Sequence, residues 1–189
     1  MIKLNVVARI AADKNSFPDL IFALHELNKQ SITQVHILFI GSIYSMAVYE
    51  NIIEEATRLH VLPNITFTKR SIPISELSEE VQQGYFINFT IGNFVGYSAL
   101  ESIKNGYKTI LYNADPSLEG ESSGLINSCA NLDELIGLIK KINNNKTAVD
   151  AEIMAANQKM INRFCLDVSE KDNLLSMMLP GKEYDNPRL

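Results

Sequence analysis

The residues best placed for chemistry sit in the stretch 92–106, GNFVGYSALESIKNG. The apolar run Tyr85-Phe86-Ile87-Asn88-Phe89 precedes it, with the aromatic and β-branched make-up of a buried strand. A turn bearing Gly92 and Gly96 follows, then a helical pattern through Ala99, Leu100 and Ile103 that Asn105-Gly106 closes. Gly106 stands where a left-handed helix cap is wanted. Thr109-Ile110-Leu111-Tyr112 then resumes as a second strand. Strand, glycine turn, helix and strand in that order expose free backbone N–H groups and the positive end of a helix dipole, which together attract phosphate. Glu101 lies about one turn inside the helix. Its carboxylate matches sugar hydroxyls, which donate to it, better than phosphate oxygens, which it repels.

Such a turn must be held at the end of a sheet, and the rest of the chain supplies one. Ile2–Val7 reads as an inner strand, followed by a loop over 8–16 that carries Arg9 and Lys14. A helix is expected over 18–28 with Leu20, Ile21, Ala23, Leu24 and Leu27 on one face, Ser16 as its N-cap and Asp19 completing a capping box. Val35–Ile40 is a second buried strand ended by Gly41-Ser42, and a helix over 45–60 follows. Pro63-Asn64 turn the chain into strand Ile65–Phe67 and the polar segment Thr68-Lys69-Arg70-Ser71. A short helix is expected over 74–83.

After the central stretch come a polar loop over 113–123, a helix over 131–142 and a linker, Asn143-Asn144-Asn145-Lys146. Helices over 149–164 and 169–178 close the domain, 1–178, and residues 179–189 read as a flexible tail. Strands alternating with helices at intervals of about 25 residues imply an α/β fold, a Rossmann-like doubly wound parallel sheet with C-terminal helices. Ligands of such sheets bind at the carboxyl ends of the strands. That edge carries Arg9, Lys14, Gly41, Lys69, Arg70, the segment 93–98 and the loop 113–123.

Composition narrows the partners. The 189 residues include 17 Lys and Arg against 22 Asp and Glu, a net charge of −5, which argues against nucleic acid or an anionic membrane as the main partner. No apolar run reaches the ~20 residues of a membrane-spanning helix, and the start lacks a signal-peptide pattern. Cys129 and Cys165 form no metal-binding or disulfide spacing, and His25, His36 and His60 fall in separate elements without ligand spacing. All five read as structural, no metal is expected, and a reducing cytoplasm is the default. The sequons at Asn64, Asn88 and Asn145 read as accidental.

In order and spacing, the motifs resemble those of the C-terminal, donor-binding half of the retaining GT-B glycosyltransferases of glycosyl transferase group 1. VARIAADKNS (7–16) is similar to the family's opening strand and G-R-L-x-x-x-K-G signature, and HILFIGS (36–42) to its V-G-x-G strand end. LPNITFTKR (62–70) and ISELSEEVQQGYFINFTIG (74–92) match the strand before the nucleobase loop and the helix and strand after it. FVGYSALESIKNGYKTIL (94–111) matches G-F-G-x-x-x-L-E-A-x-x-x-G-x-P-V-V.

The resemblance implies one half of a GT-B fold that binds a nucleotide-diphosphate-sugar and transfers a hexosyl unit to a glycan or lipid acceptor, with no cofactor. Arg9 and Lys14 would neutralise the diphosphate and the leaving nucleotide, and the N–H groups of Gly96, Tyr97 and Ser98 would hold the same diphosphate. Glu101 would take the ribose, Lys69 and Arg70 would lie beside the base, Gly41 would end the second strand at the site, and Asn93 would face the donor sugar. An N-terminal acceptor domain missing from this chain would complete the cleft and supply any peripheral membrane contact.

The departures are specific. Asn93 stands eight positions before Glu101, where the family has a glutamate, and carries no charge to stabilise a cationic sugar-like transition state. Ala8 and Asn15 replace glycines, which puts a methyl beside the expected phosphate site, and Ile91-Gly92 replaces Pro-Ser. They open a second reading, a catalytically degenerate GT-B-like domain acting as a binding or assembly module.

Overall fold

In the computed structural model the run Ile2–Val7 forms β1, the strand around which both halves of the sheet are laid. The structure describes residues 1–13, 16–92, 95–115, 117, 118, 124–164, 166 and 168–178. After β1 come α1 (Phe17–Lys29), β2 (Val35–Ile40), α2 (Met46–Arg58), β3 (Ile65–Phe67), α3 (Glu79–Gln82) and β4 (Tyr85–Thr90). They are followed by α4 (Tyr97–Lys104), β5 (Lys108–Asn113), β6 (Ser128–Cys129), α5 (Leu132–Asn144), α6 (Lys146–Phe164) and α7 (Val168–Met178).

All pairings are parallel and the strand order is β3-β2-β1-β4-β5-β6. The chain winds outward from β1 through β2 to β3, then returns to β4 on the other side. The strand order therefore reverses between β1 and β4, and a crevice opens there at the carboxyl edge. Near-continuous apolar strands require cover on both faces. One face buries Leu4, Val6, Ile37, Phe39 and Ile87 against Leu20 and Leu24 of α1, Ile52 of α2 and Leu135 and Ile139 of α5. The other face is covered in two patches, by Ile74 and Leu77 over Phe86 and by Ala99, Ile103 and Met160 over Leu111.

Four local expectations are corrected. The segment 74–83 is not one helix but a 3-10 turn at Ile74–Glu76 followed by the single-turn α3, because both Ile74 and Leu77 must reach the same apolar patch. Ser16 makes no side-chain cap. Asp19 is taken instead by Tyr112, whose hydroxyl donates to Asp19 Oδ2 at 2.7 Å, so the first turn of α1 is tied to the end of β5 rather than to its own cap. The asparagine-rich linker is only one residue long. Helix α5 runs to Asn144, and Asn145 accepts from Ala148 N–H at 3.3 Å and opens α6, because Ile142 and Val149 on either side are both buried. Finally, β6 follows the brief apolar piece Gly124-Leu125-Ile126, where the sequence marks no strand. Two residues are too few to show a period, and only pairing with β5 creates the strand.

Candidate nucleotide site at the carboxyl edge

The loop after β1 is pinned to the exit of β2. Ile10 and Ile43 form an isolated parallel bridge, Ile10 N–H donates to Ser42 O at 3.0 Å, and Tyr44 N–H donates to Ile10 O at 2.9 Å. Gly41 makes this approach possible, since a Cβ on it would lie 2.0 Å from the Ala8 carbonyl oxygen. Arg9 projects from that pinned loop into solvent. Its Nη2 donates to Asp13 Oδ2 at 2.9 Å, and its guanidinium carbon lies 5.9 Å from the Tyr44 ring centroid. Ala8 packs against the main apolar cluster, so part of its surface is spent on the core. Lys14 and Asn15 lie outside the described residues.

The loop after β3 is held by hydroxyls. Thr68 Oγ1 accepts from Gly41 N–H at 3.1 Å and donates to Arg70 O at 2.7 Å. Ser42 Oγ accepts from Ser71 N–H at 3.1 Å. Between these ties Lys69 is held in the left-handed region at φ 56°, with its ammonium 5.2 Å from the Tyr49 ring centroid. Arg70 is exposed. Lys69, Arg70 and Gly41 therefore share one stapled corner.

The loops after β4 and β5 are joined by Asn113, which is buried. Its Oδ1 accepts from Gly92 N–H at 3.1 Å and Asp115 N–H at 3.3 Å, and its Nδ2 donates to Leu118 O at 2.7 Å. Helix α4 begins at Tyr97 with Gly96 as the N-cap. Ala99 and Leu100 N–H both donate to Gly96 O, at 3.1 and 3.3 Å, whereas Tyr97 and Ser98 N–H have no partner among the described residues. A Cβ on Gly96 would meet nothing within 4 Å, so the helix start faces open space. At its other end Gly106, with φ 74°, donates to Ile103 O while Tyr107 N–H donates to Ser102 O, a closed Schellman cap. Asn93 lies outside the described residues.

Glu101 is exposed one turn into α4 and borders a groove of about 560 Å³ between α4 and the start of α7. Tyr97, Leu100, Phe164, Leu166 and Lys171 line the rest of it. The sequence reading set the loop beginning at Asn113 at this edge but gave no role to Asn113, Thr68, Ser42 or the rings of Tyr44 and Tyr49. Thr68, Ser42 and Tyr44 had a local signal, a polar or aromatic residue in the first positions after a strand, but partner identity depends on which strands become neighbours.

No group of three or more His, Cys, Asp or Glu side chains able to hold a metal occurs among the described residues. His25 Nδ1 bonds Leu59 O and His36 Nε2 bonds Thr66 Oγ1. Burial, with the Glu134 charge second, pushes the Cys129 thiol up to about 12, so it stays protonated. Cys165 lies outside the described residues. Among the described residues no helix is long and apolar enough to cross a membrane.

A six-stranded, all-parallel sheet of this order, with a glycine-capped helix at its reversal point, is a Rossmann-like fold. More particularly, it is the fold of the GT-B glycosyltransferase domains. A glycosyltransferase from Rickettsia africae superposes with a TM-score of 0.70 at 18% identity, over 96% of this chain and 49% of that one. Anabaena HepE, solved with UDP and glucose, superposes with a TM-score of 0.69 at 16% identity, over 96% of this chain and 48% of that one. The catalytic domain of cholesterol-α-glucosyltransferase from Helicobacter pylori gives a TM-score of 0.63 at 18% identity, over 86% of this chain and 98% of that domain. This chain thus spans about half the length of the first two. No protein-family profile and no curated protein matches the sequence.

Proposed function

We propose that this chain is the nucleotide-sugar-binding half of a retaining glycosyltransferase that moves a hexosyl unit onto a glycan or lipid acceptor at the cytoplasmic side of cell-surface polysaccharide synthesis. The observation that carries this is the start of α4. The N–H groups of Tyr97 and Ser98, unpartnered among the described residues, start the helix beside an open Gly96 at the crevice where the strand order reverses, with Glu101 one turn further on. Backbone N–H groups at a helix start donate to a diphosphate, and a carboxylate one turn on accepts from ribose hydroxyls. The UDP held by HepE, a protein of the same fold, supports the same ligand class here.

In this reading Arg9 and Lys14 meet the diphosphate from the β1 side. Breaking the sugar–phosphate bond leaves negative charge on the nucleotide, and two cations beside it lower the barrier without a metal ion. Arg9 would exchange Asp13 for the diphosphate as it binds. Lys69 and Arg70 flank the base, and Asn93 hydrogen-bonds a sugar hydroxyl. A second half, supplying the acceptor site, completes the cleft.

Asn93 in place of the family's glutamate favours a second reading, a domain that binds donor but serves as an assembly module. Calorimetric titration with UDP, GDP, ADP and their sugar conjugates tests the first. Binding is expected, weakened by about tenfold or more in the Arg9→Ala/Lys14→Ala double variant, the loss typical of charge-assisted hydrogen bonds. No binding at millimolar ligand overturns the donor assignment, and binding indifferent to the double substitution overturns the roles of Arg9 and Lys14. Donor binding without glycosyl transfer, once the complementary half is supplied, selects the assembly module.

A further inference from the structure

The amino-terminal edge of the sheet, opposite the candidate nucleotide site, carries a second polar cavity. It has a volume of about 360 Å³ and is lined by Lys3, Glu80, Gly84, Tyr85, Lys108 and Lys146. Three lysines from three elements, β1, β5 and α6, converge there in a protein whose net charge is −5. Their counter-charges are incomplete. Lys108 and Lys146 share one oxygen, Asp150 Oδ2, at 3.2 and 2.6 Å, and Asp150 itself does not line the cavity. The other Asp150 oxygen accepts from the Tyr85 hydroxyl at 2.5 Å. Lys3 pairs with Glu80, a rim residue whose side chain is 76% exposed and free to swing into water.

Lys108 is held hard in place. Its side chain is only 15% exposed, and its ammonium lies 4.8 Å from the Tyr85 ring centroid. Burial, together with the like charge of Lys146, outweighs Asp150 and pulls the Lys108 ammonium below its ordinary range. Desolvation is the larger of the two causes. Lys146 is also the first residue of the 19-residue α6, so the positive end of that helix dipole adds to the field.

The geometry points to an anion-binding site at the amino-terminal edge, built for a small tetrahedral oxyanion: inorganic phosphate, or the phosphoryl group of a small molecule. Such an ion would bridge Lys3, Lys108 and Lys146 and supply the charge that Asp150 divides between two of them. A flat anionic membrane could not reach the recessed Lys108. The site also stands apart from the nucleotide assignment, since it lies at the other end of the strands.

Two-dimensional NMR of the labelled chain, titrated with inorganic phosphate and separately with sulfate, tests this. Saturable shifts are expected at the amides of Gly84, Tyr85 and Lys108, weakened about tenfold by Lys3→Gln and unchanged by Arg9→Ala. Lys3 pairs with the exposed Glu80, and glutamine keeps most of its packed stem, so Lys3→Gln should keep the fold, and Lys146→Gln should weaken binding in the same direction. Shifts confined to Tyr97 and Ser98, or absent at tens of millimolar ligand, would overturn the site. Shifts at Gly84 and Lys108 produced only by anionic-lipid vesicles, and not by free phosphate, would overturn it in favour of a membrane contact.

Discussion

Asp150 is the residue whose charge the fold uses most heavily. Burial pushes its carboxyl up, but donors from Lys146, Tyr85 and Lys108 together pull it below the ordinary carboxylate range. A carboxyl lowered in the folded state contributes stability that is complete above its unfolded value and lost as the pH falls through the folded value. Unfolding followed from pH 6 down to 2 should therefore show an acid-side loss below about pH 4, the ordinary carboxylate range, which Asp150→Asn flattens. An unchanged acid limb would show that the three donors do not stabilise the charge. Gly41 is decisive in a different way. With a Cβ landing 2.0 Å from the Ala8 carbonyl, Gly41→Ala should force the β1 and β2 exits apart. The expected cost is about 1–3 kcal/mol in urea unfolding, with the Arg9 loop displaced and donor affinity reduced.

At the scale of elements, the first turn of α1 is packed as tightly as any part of the molecule. Phe17 is fully buried, with ring centroids 5.5 Å from Phe39 and 5.6 Å from Phe89, both edge-on. Phe17→Ala should cost about 3–5 kcal/mol by chemical denaturation, because three strand and helix ends surround the void and cannot all collapse into it. The loops after β4 and β5 depend on one side chain. Asn113→Ala removes both acceptor and donor from a buried position, and should cost about 1–3 kcal/mol while loosening the start of α4. Loss of stability without any change in nucleotide affinity would disconnect that tie from the site. The element boundaries were legible wherever an apolar run met a cap, as at Ile2–Val7, Val35–Ile40 and Gly106. They were not legible at 74–83 or 143–146, where turn-prone residues gave way to the burial of their apolar neighbours.

Over the whole molecule, the core closes before the last helix. Helix α7 buries none of its residues, and Leu174, Leu175, Met177 and Met178 are 41–78% exposed. Truncation after Phe164 should change unfolding free energy by no more than about 0.5 kcal/mol, while opening the groove beside Glu101. A larger loss would mean that α7 belongs to the core. By itself the sequence determined the parallel α/β class, the order of strands β1 to β5 with the helices between them, and the side-chain types at the carboxyl edge. Periodicity, capping glycines and loop polarity are local properties, written in neighbouring residues. Only the tertiary structure decided that Asp19 serves Tyr112 rather than its own helix, that Thr68 and Ser42 staple the Lys69 corner, and that Lys3, Lys108 and Lys146 meet at the far edge. Those pairings join residues 27 to 143 positions apart, and chain spacing carries no record of which strands will lie side by side.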